Sequence, residues 1–149
     1  MQFKNVAAVV IAGVMLIASP MSWAESFKSF GDYDVHYNAF TTDFLSPQVA
    51  QTYKIQRSKN RALLNISVLK KVLGTPGESV VAVVRATARN LSGQLRSLDV
   101  RKVVDGPAIY YLATFGVNNE ETMDFEIQVT PQGNDAPYVV KFRQQFFTD

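Results

Sequence analysis

The feature that most constrains this chain is an alternation of apolar and polar residues with period two, running from Tyr33 almost to the C-terminus. Tyr33, Val35, Tyr37 and Ala39 alternate with Asp34, His36 and Asn38. Successive strand side chains point to opposite faces, so this segment reads as a half-buried strand. Arg61–Lys70 repeats the pattern, with Ala62, Leu64, Ile66 and Val68 on one side. Further strands are predicted at 80–90, 95–104, 109–116, 123–129 and 138–146, separated by turn signals such as Leu91-Ser92-Gly93 and Asp105-Gly106-Pro107. Residues 109–116 are apolar on both faces, which predicts a central strand. Ser46-Pro47 looks like an N-cap and first-turn proline, with Val49, Ala50 and Tyr53 sharing one face of a single short helix. About seven strands at this spacing predict an all-β fold, an antiparallel immunoglobulin-like β-sandwich with one short helix. A small membrane barrel is the alternative. The apolar faces backed by charges and the lack of aromatic girdles favour the sandwich.

The residues before this pattern give an address. Lys4 precedes an apolar run over 6–18, then Ser19-Pro20, then Ser22-Trp23-Ala24 with small side chains at the −3 and −1 positions of a cleavage site. That order is a secretory signal peptide over residues 1–24. A retained anchor is the alternative, but thirteen residues rise only about 20 Å as a helix, against a bilayer core of roughly 30 Å. Residues 25–149 then form one β-sandwich domain, expected to be periplasmic, with no transmembrane segment. The chain has no cysteine, so disulfides, thiolate metal sites and thiol chemistry are excluded. At this length a core can form without such staples.

Chemistry is hard to find. His36 is the only histidine and shares a strand face with Asp34. The two would be an orienting pair for a hydrolase, yet no nucleophile elbow accompanies them. Asp32, Asp34, His36 and Asn38 form a row whose members lie about 7 Å apart, too far to converge on one ion. No cofactor and no metal are expected, and catalysis is not. Asn65-Ile66-Ser67 matches a glycosylation pattern by chance, being inside a strand. The tail Gln144-Gln145-Phe146-Phe147 either closes its own core or offers a strand edge to an envelope assembly or chaperone partner.

Charge is distributed unevenly. Without Lys4 the chain has fourteen basic and thirteen acidic residues, a net charge of +1. Residues 54–102 hold eleven Lys and Arg against only Glu78 and Asp99. Either basic strands lie beside acidic ones, with Arg85 and Arg89 facing Asp124 and Glu126, or the charges form an anion-attracting face. Arg57, Lys59 and Arg61, in the loop Arg57-Ser58-Lys59-Asn60-Arg61, are the candidate ligand-binding residues, with Asp43 and Glu120 the acids best placed to neutralise them. The expected partner is an anionic envelope component or an acidic protein. Nucleic acid is not expected, because no aromatic row accompanies the loop.

The signal peptide, the stretch Phe30-Gly31-Asp32-Tyr33-Asp34-Val35-His36-Tyr37-Asn38-Ala39-Phe40 and the stretch Arg57-Ser58-Lys59-Asn60-Arg61-Ala62-Leu63 together resemble a family of small exported bacterial proteins, domain of unknown function 4426. The resemblance spans essentially the whole chain after residue 24. It implies a periplasmic location and an immunoglobulin-like sandwich, and brings no activity with it. The expected function is a non-catalytic binding or scaffold module. The intact mass of the exported protein is expected to match residues 25–149, and a membrane-bound species retaining residues 1–24 would contradict the cleavage site.

Overall fold

The computed structural model describes residues 26–149. The predicted signal peptide and its cleavage site lie outside the described residues. Ten strands form two antiparallel sheets: β1 Ser26–Phe30, β2 Tyr33–Thr41, β3 Arg61–Lys70, β4 Glu78–Ser79, β5 Ala82–Asn90, β6 Leu95–Leu98, β7 Arg101–Asp105, β8 Ala108–Gly116, β9 Glu121–Pro131 and β10 Tyr138–Phe146. One sheet runs β1-β2-β3-β8-β7, with β4 added to β3, and the other runs β10-β9-β5-β6. The architecture is the expected sandwich of two open sheets, and no described helix is long and apolar enough to cross a membrane.

The strand count exceeds seven for identifiable reasons. β1 has no apolar alternation and four of its five residues are exposed, so nothing in its pattern marks it as a strand. It exists because Gly31, at a φ of 55°, turns the chain back so that Ser26 pairs with Tyr37 and Phe30 with Tyr33. The predicted strand over 95–104 is two strands in different sheets. β6 pairs with β5 and β7 pairs with β8, and Asp99-Val100 crosses between the layers. Period two survives such a crossing, so alternation alone does not reveal it.

Between the sheets lies one core. Val35, Leu64, Ile66, Val68, Ile127 and Val140 are fully buried there, with Tyr111 and Phe125 beside them and Tyr33, Tyr37 and Phe142 half-buried against it. β8 is central, as expected. Tyr111, Ala113 and Phe115 face this core, while Leu112 joins Leu63 and Ile55 in a second cluster on the outer face.

The segment between β2 and β3 covers that outer face. It holds a 3-10 turn, Thr42–Phe44, and α1, Pro47–Thr52. Ser46 caps α1, its Oγ accepting from Val49 N at 3.2 Å, with Pro47 at the first helical position. Ala50 is buried, but Val49 is exposed, so the expected three-residue face is smaller than predicted. α1 stops in a Schellman arrangement: Ile55 N donates to Ala50 O and Lys54 N to Gln51 O. Lys54 sits at a φ of 54°, a conformation usually left to glycine. The stop turns Ile55 inward, where it is buried beside Leu63 and Leu112.

Ile66→Ala is expected to cost about 2–5 kcal/mol, seen as a lower denaturation midpoint at unchanged slope. Leu73→Ala, at a fully exposed position, is expected to stay within about 0.5 kcal/mol.

Candidate functional site

The loop after α1 is fixed before its cations are considered. Thr42 is fully buried, and its Oγ1 accepts from Ser58 N at 2.8 Å. The same hydroxyl lies 2.8 Å from Gln56 O and 3.1 Å from Ser58 O, and donates between them. Val117 N donates to Asn60 O at 2.9 Å, tying the far end of the loop to the end of β8. These contacts hold residues 56–60 at the ends of β2 and β8.

The structure places all three candidate cations on this fixed loop and aims two of them at different elements. Arg57 turns toward the 3-10 turn, its Nε donating to Leu45 O at 2.7 Å and an Nη to Asp43 O at 3.1 Å. Arg61, at the first position of β3, donates to Thr114 Oγ1 of β8 at 3.2 Å. Lys59 is exposed and has no polar partner among the described residues. Within those residues no carboxylate lies within 4.0 Å of any of the three. Asp43 accepts Arg57 through its backbone carbonyl, while its Oδ1 is buried without a partner. Glu120 accepts Gln145 Nε2 through its own carbonyl. Neutral oxygens, and no described carboxylate, hold the two arginines.

Elsewhere the basic segment is partly paired, as the alternative expectation required. Arg89 stands opposite Asp124 in the β5–β9 register. Arg85, however, stands opposite Gln128, and Glu126 faces Thr87. The closest partners of these acids come from β10, outside the basic segment: Arg143 grips Asp124 at 2.7 and 2.9 Å, and Lys141 lies 3.8 Å from Glu126. Arg143, then Arg89, holds the Asp124 carboxyl below the usual carboxylate range.

Asp34 and His36 do share the outer face of β2. Ser29 Oγ donates to Asp34 at 2.5 Å and Lys71 Nζ lies 3.7 Å from it. The His36 ring stacks on Phe27, centroids 5.2 Å apart. The serine proton thus goes to the carboxylate, whereas a triad needs the imidazole to receive it. Asn65 lies inside β3, half-buried, with its Oδ1 buried and without a partner among the described residues.

One cluster had no signal in the sequence pattern. Tyr53, at the end of α1, donates to Asp105 Oδ2 of β7 at 2.8 Å, and Arg101 Nη2 donates to Tyr53 O. These contacts clamp α1 onto the edge of the larger sheet across about fifty residues of chain, a distance no local motif reports.

A family model described as a domain of unknown function, DUF4426, matches residues 27–149. The chain belongs to this family. A solved DUF4426 family protein from Pseudomonas aeruginosa PAO1 has 36% identity and a TM-score of 0.71, covering 84% of this chain and 96% of that one. FetP of uropathogenic E. coli strain F11, recombinantly expressed in the periplasm, aligns at 11% identity and a TM-score of 0.57, covering 83% of this chain and 93% of that one. A copper-bound variant of FetP aligns at 11% identity and 0.58, covering 83% and 95%. These two show a shared fold. No curated protein matches the chain.

The Tyr53 hydroxyl is pushed up to about 12, first by its hydrogen bond to Asp105, then by burial and the same carboxylate's charge. A phenol whose pKa rises on folding contributes stability below pH 10 that is lost as pH climbs toward 12. Asp105→Asn is expected to return one tyrosine toward 10 in an ultraviolet titration.

Proposed function

We propose that this protein is a non-catalytic binding or scaffold module of the periplasm that engages an anionic envelope component through the loop bearing Arg57, Lys59 and Arg61. The observation behind this is the unneutralised charge on a fixed backbone: three cations within five residues and no carboxylate within 4.0 Å among the described residues. An anion meeting such a surface finds cations whose backbone ordering cost is already met by Thr42 and the carbonyls that hold Arg57. Export rests on the signal pattern over residues 1–24, and FetP's expression in the periplasm is in keeping with it.

The copper of the FetP variant does not fit this chain. His36 is its one histidine, it has no cysteine, and its one described methionine, Met123, is buried in the core. Among the described residues no group of three His, Cys, Asp or Glu is placed to hold an ion. No metal chemistry is therefore part of the proposal.

Binding to phosphatidylglycerol vesicles and to soluble cell-wall fragments, measured separately, distinguishes a lipid from a wall ligand. Lys59→Ala is expected to weaken binding about fivefold, in line with about 1 kcal/mol per cation near an anionic surface, without lowering the melting temperature. The triple replacement Arg57→Ala, Lys59→Ala, Arg61→Ala is expected to weaken it much further. It should also lower the melting temperature, because Arg57 holds two backbone carbonyls. Raising salt from 0.1 to 1 M shortens the Debye length from about 10 to about 3 Å and should abolish binding. Binding that ignores both salt and Lys59→Ala would overturn the proposal.

A further inference from the structure

The larger sheet has a second apolar face, turned away from the main core. Residues paired directly across an antiparallel ladder share a side, so Asn65 of β3 stands outward beside Leu112 of β8. Leu63 and Tyr110, each two residues along its strand, lie on that side too. Leu63 and Leu112 are buried there with Ile55, while Tyr53 and Tyr110 are half-buried against them.

α1 covers this cluster without closing it. A pocket of about 220 Å³ lies between the helix and the sheet, with Leu63 and Leu112 as its floor and Tyr53, Tyr110 and Val49 as walls. Asn65 joins the lining from β3. Contacts outside the pocket hold it open. Tyr53 is fixed to β7 at two points: its hydroxyl donates to Asp105 Oδ2 at 2.8 Å, and Arg101 Nη2 donates to its carbonyl. The Tyr53 ring is thereby kept from swinging inward, and it meets Tyr110 edge-on with centroids 6.1 Å apart. Walls anchored in this way leave little ordering for a ligand to impose.

The lining specifies the occupant. Among the described residues no charged side chain lines the pocket, so an ion would be desolvated there without a counter-charge. The Asn65 carboxamide sits among the apolar groups. Its Oδ1 is buried with no partner, so the accessible end of the amide is Nδ2, a donor that no described residue satisfies. A protein partner needs a broad contact, on the order of 800 Å² per side. Of the large apolar side chains exposed on the described chain, only Val49 lines this pocket, so no such surface surrounds it. A small molecule fits better. An apolar cavity of roughly 150 Å³ holds one benzene. About 220 Å³ therefore accepts one ring with a short polar substituent.

We propose that this pocket is a binding site for a small uncharged molecule with a ring-sized apolar body and a carbonyl-type oxygen. The body packs on Leu63 and Leu112 beside the two tyrosine rings, and the oxygen accepts from Asn65 Nδ2. None of the three loop cations takes part, so this site and the proposed anion site can fail independently.

The test titrates the exported protein with acetophenone, a ring bearing a ketone, and with ethylbenzene, benzoate and benzylamine. Tyrosine fluorescence and amide chemical shifts are the readouts. The one tryptophan, Trp23, precedes the expected mature N-terminus, so tyrosine emission reports directly. Acetophenone is expected to shift the Asn65 side-chain amide and the backbone amides of Tyr53 and Leu112. It should bind about fivefold more tightly than ethylbenzene, as one net hydrogen bond would give, and at least tenfold more tightly than either charged analogue. Asn65→Leu should bring the acetophenone-to-ethylbenzene ratio to about one. That ratio is read within one variant, so a change in stability does not obscure it. Val49→Phe, at the exposed rim, should block both ligands without lowering the melting temperature, and Lys59→Ala should change neither affinity. The proposal is overturned by no saturable acetophenone binding, by equal binding of ethylbenzene or the charged analogues, or by binding indifferent to both Asn65→Leu and Val49→Phe.

Discussion

The structure depends on the packing of aromatic rings between the two sheets. With no cysteine available, the layers are joined by side-chain contact alone. Phe125, 2% exposed, stacks on Phe142 at 4.8 Å and meets Phe115 at 5.6 Å and Phe146 at 6.2 Å, and Phe142 in turn meets Tyr37 of the other sheet. Such pairs add about 0.5–1.5 kcal/mol each beyond the area they bury. Their larger effect is on register. A slip of one residue would turn Phe125 and Ile127 outward and bring Asp124 and Glu126 into the core. Fixing Phe125 inward therefore also fixes Asp124 and Glu126 outward, where Arg143 and Lys141 meet them.

The rest of the surface chemistry follows from this frame. The buried hydroxyl of Thr42, at the end of β2, organises the basic loop by satisfying backbone groups of residues 56 and 58. The rigidity of that loop comes from β2 and β3 beneath it, and its charge from residues that contribute nothing to the core. Among the described residues β10 ends the smaller sheet, paired only with β9. The loop is exposed because the core is complete without it. FetP shares the architecture at 11% identity, while among the described residues of this chain no three His, Cys, Asp or Glu side chains are grouped to hold an ion. Sites of this kind are carried by particular side chains and are not inherited with the fold.

The sequence made much of the fold legible. Leu64, Ile66, Val68, Phe125, Ile127 and Val140 announce their inward face through alternation, because burial on one side of a pleated strand has no other periodicity. Ser46-Pro47 announces α1 through local capping chemistry. β1 was silent, because its residues are mostly exposed and its pairing depends on a partner strand. The division of 95–104 between sheets was silent too, because side-chain parity is unchanged by crossing layers. For the loop, the sequence revealed three cations without nearby acids in the chain. It did not reveal that Arg57 would be held by carbonyls of residues 43 and 45.

By itself the sequence determined strand character, the inward face of each main strand, the short helix, the lack of covalent cross-links and the family. All of these rest on properties that travel with each residue and its immediate neighbours. Only the tertiary structure decided which cations are paired. Asp124 takes Arg143 most closely although Arg89 stands across from it, and Tyr53 finds Asp105 across the fold. It alone also decided the order of strands in each sheet and, among the described residues, that β10 stands at the end of the smaller one. Partners and edges are set by which strands become neighbours. Long-range packing chooses those neighbours, and no local pattern records that choice.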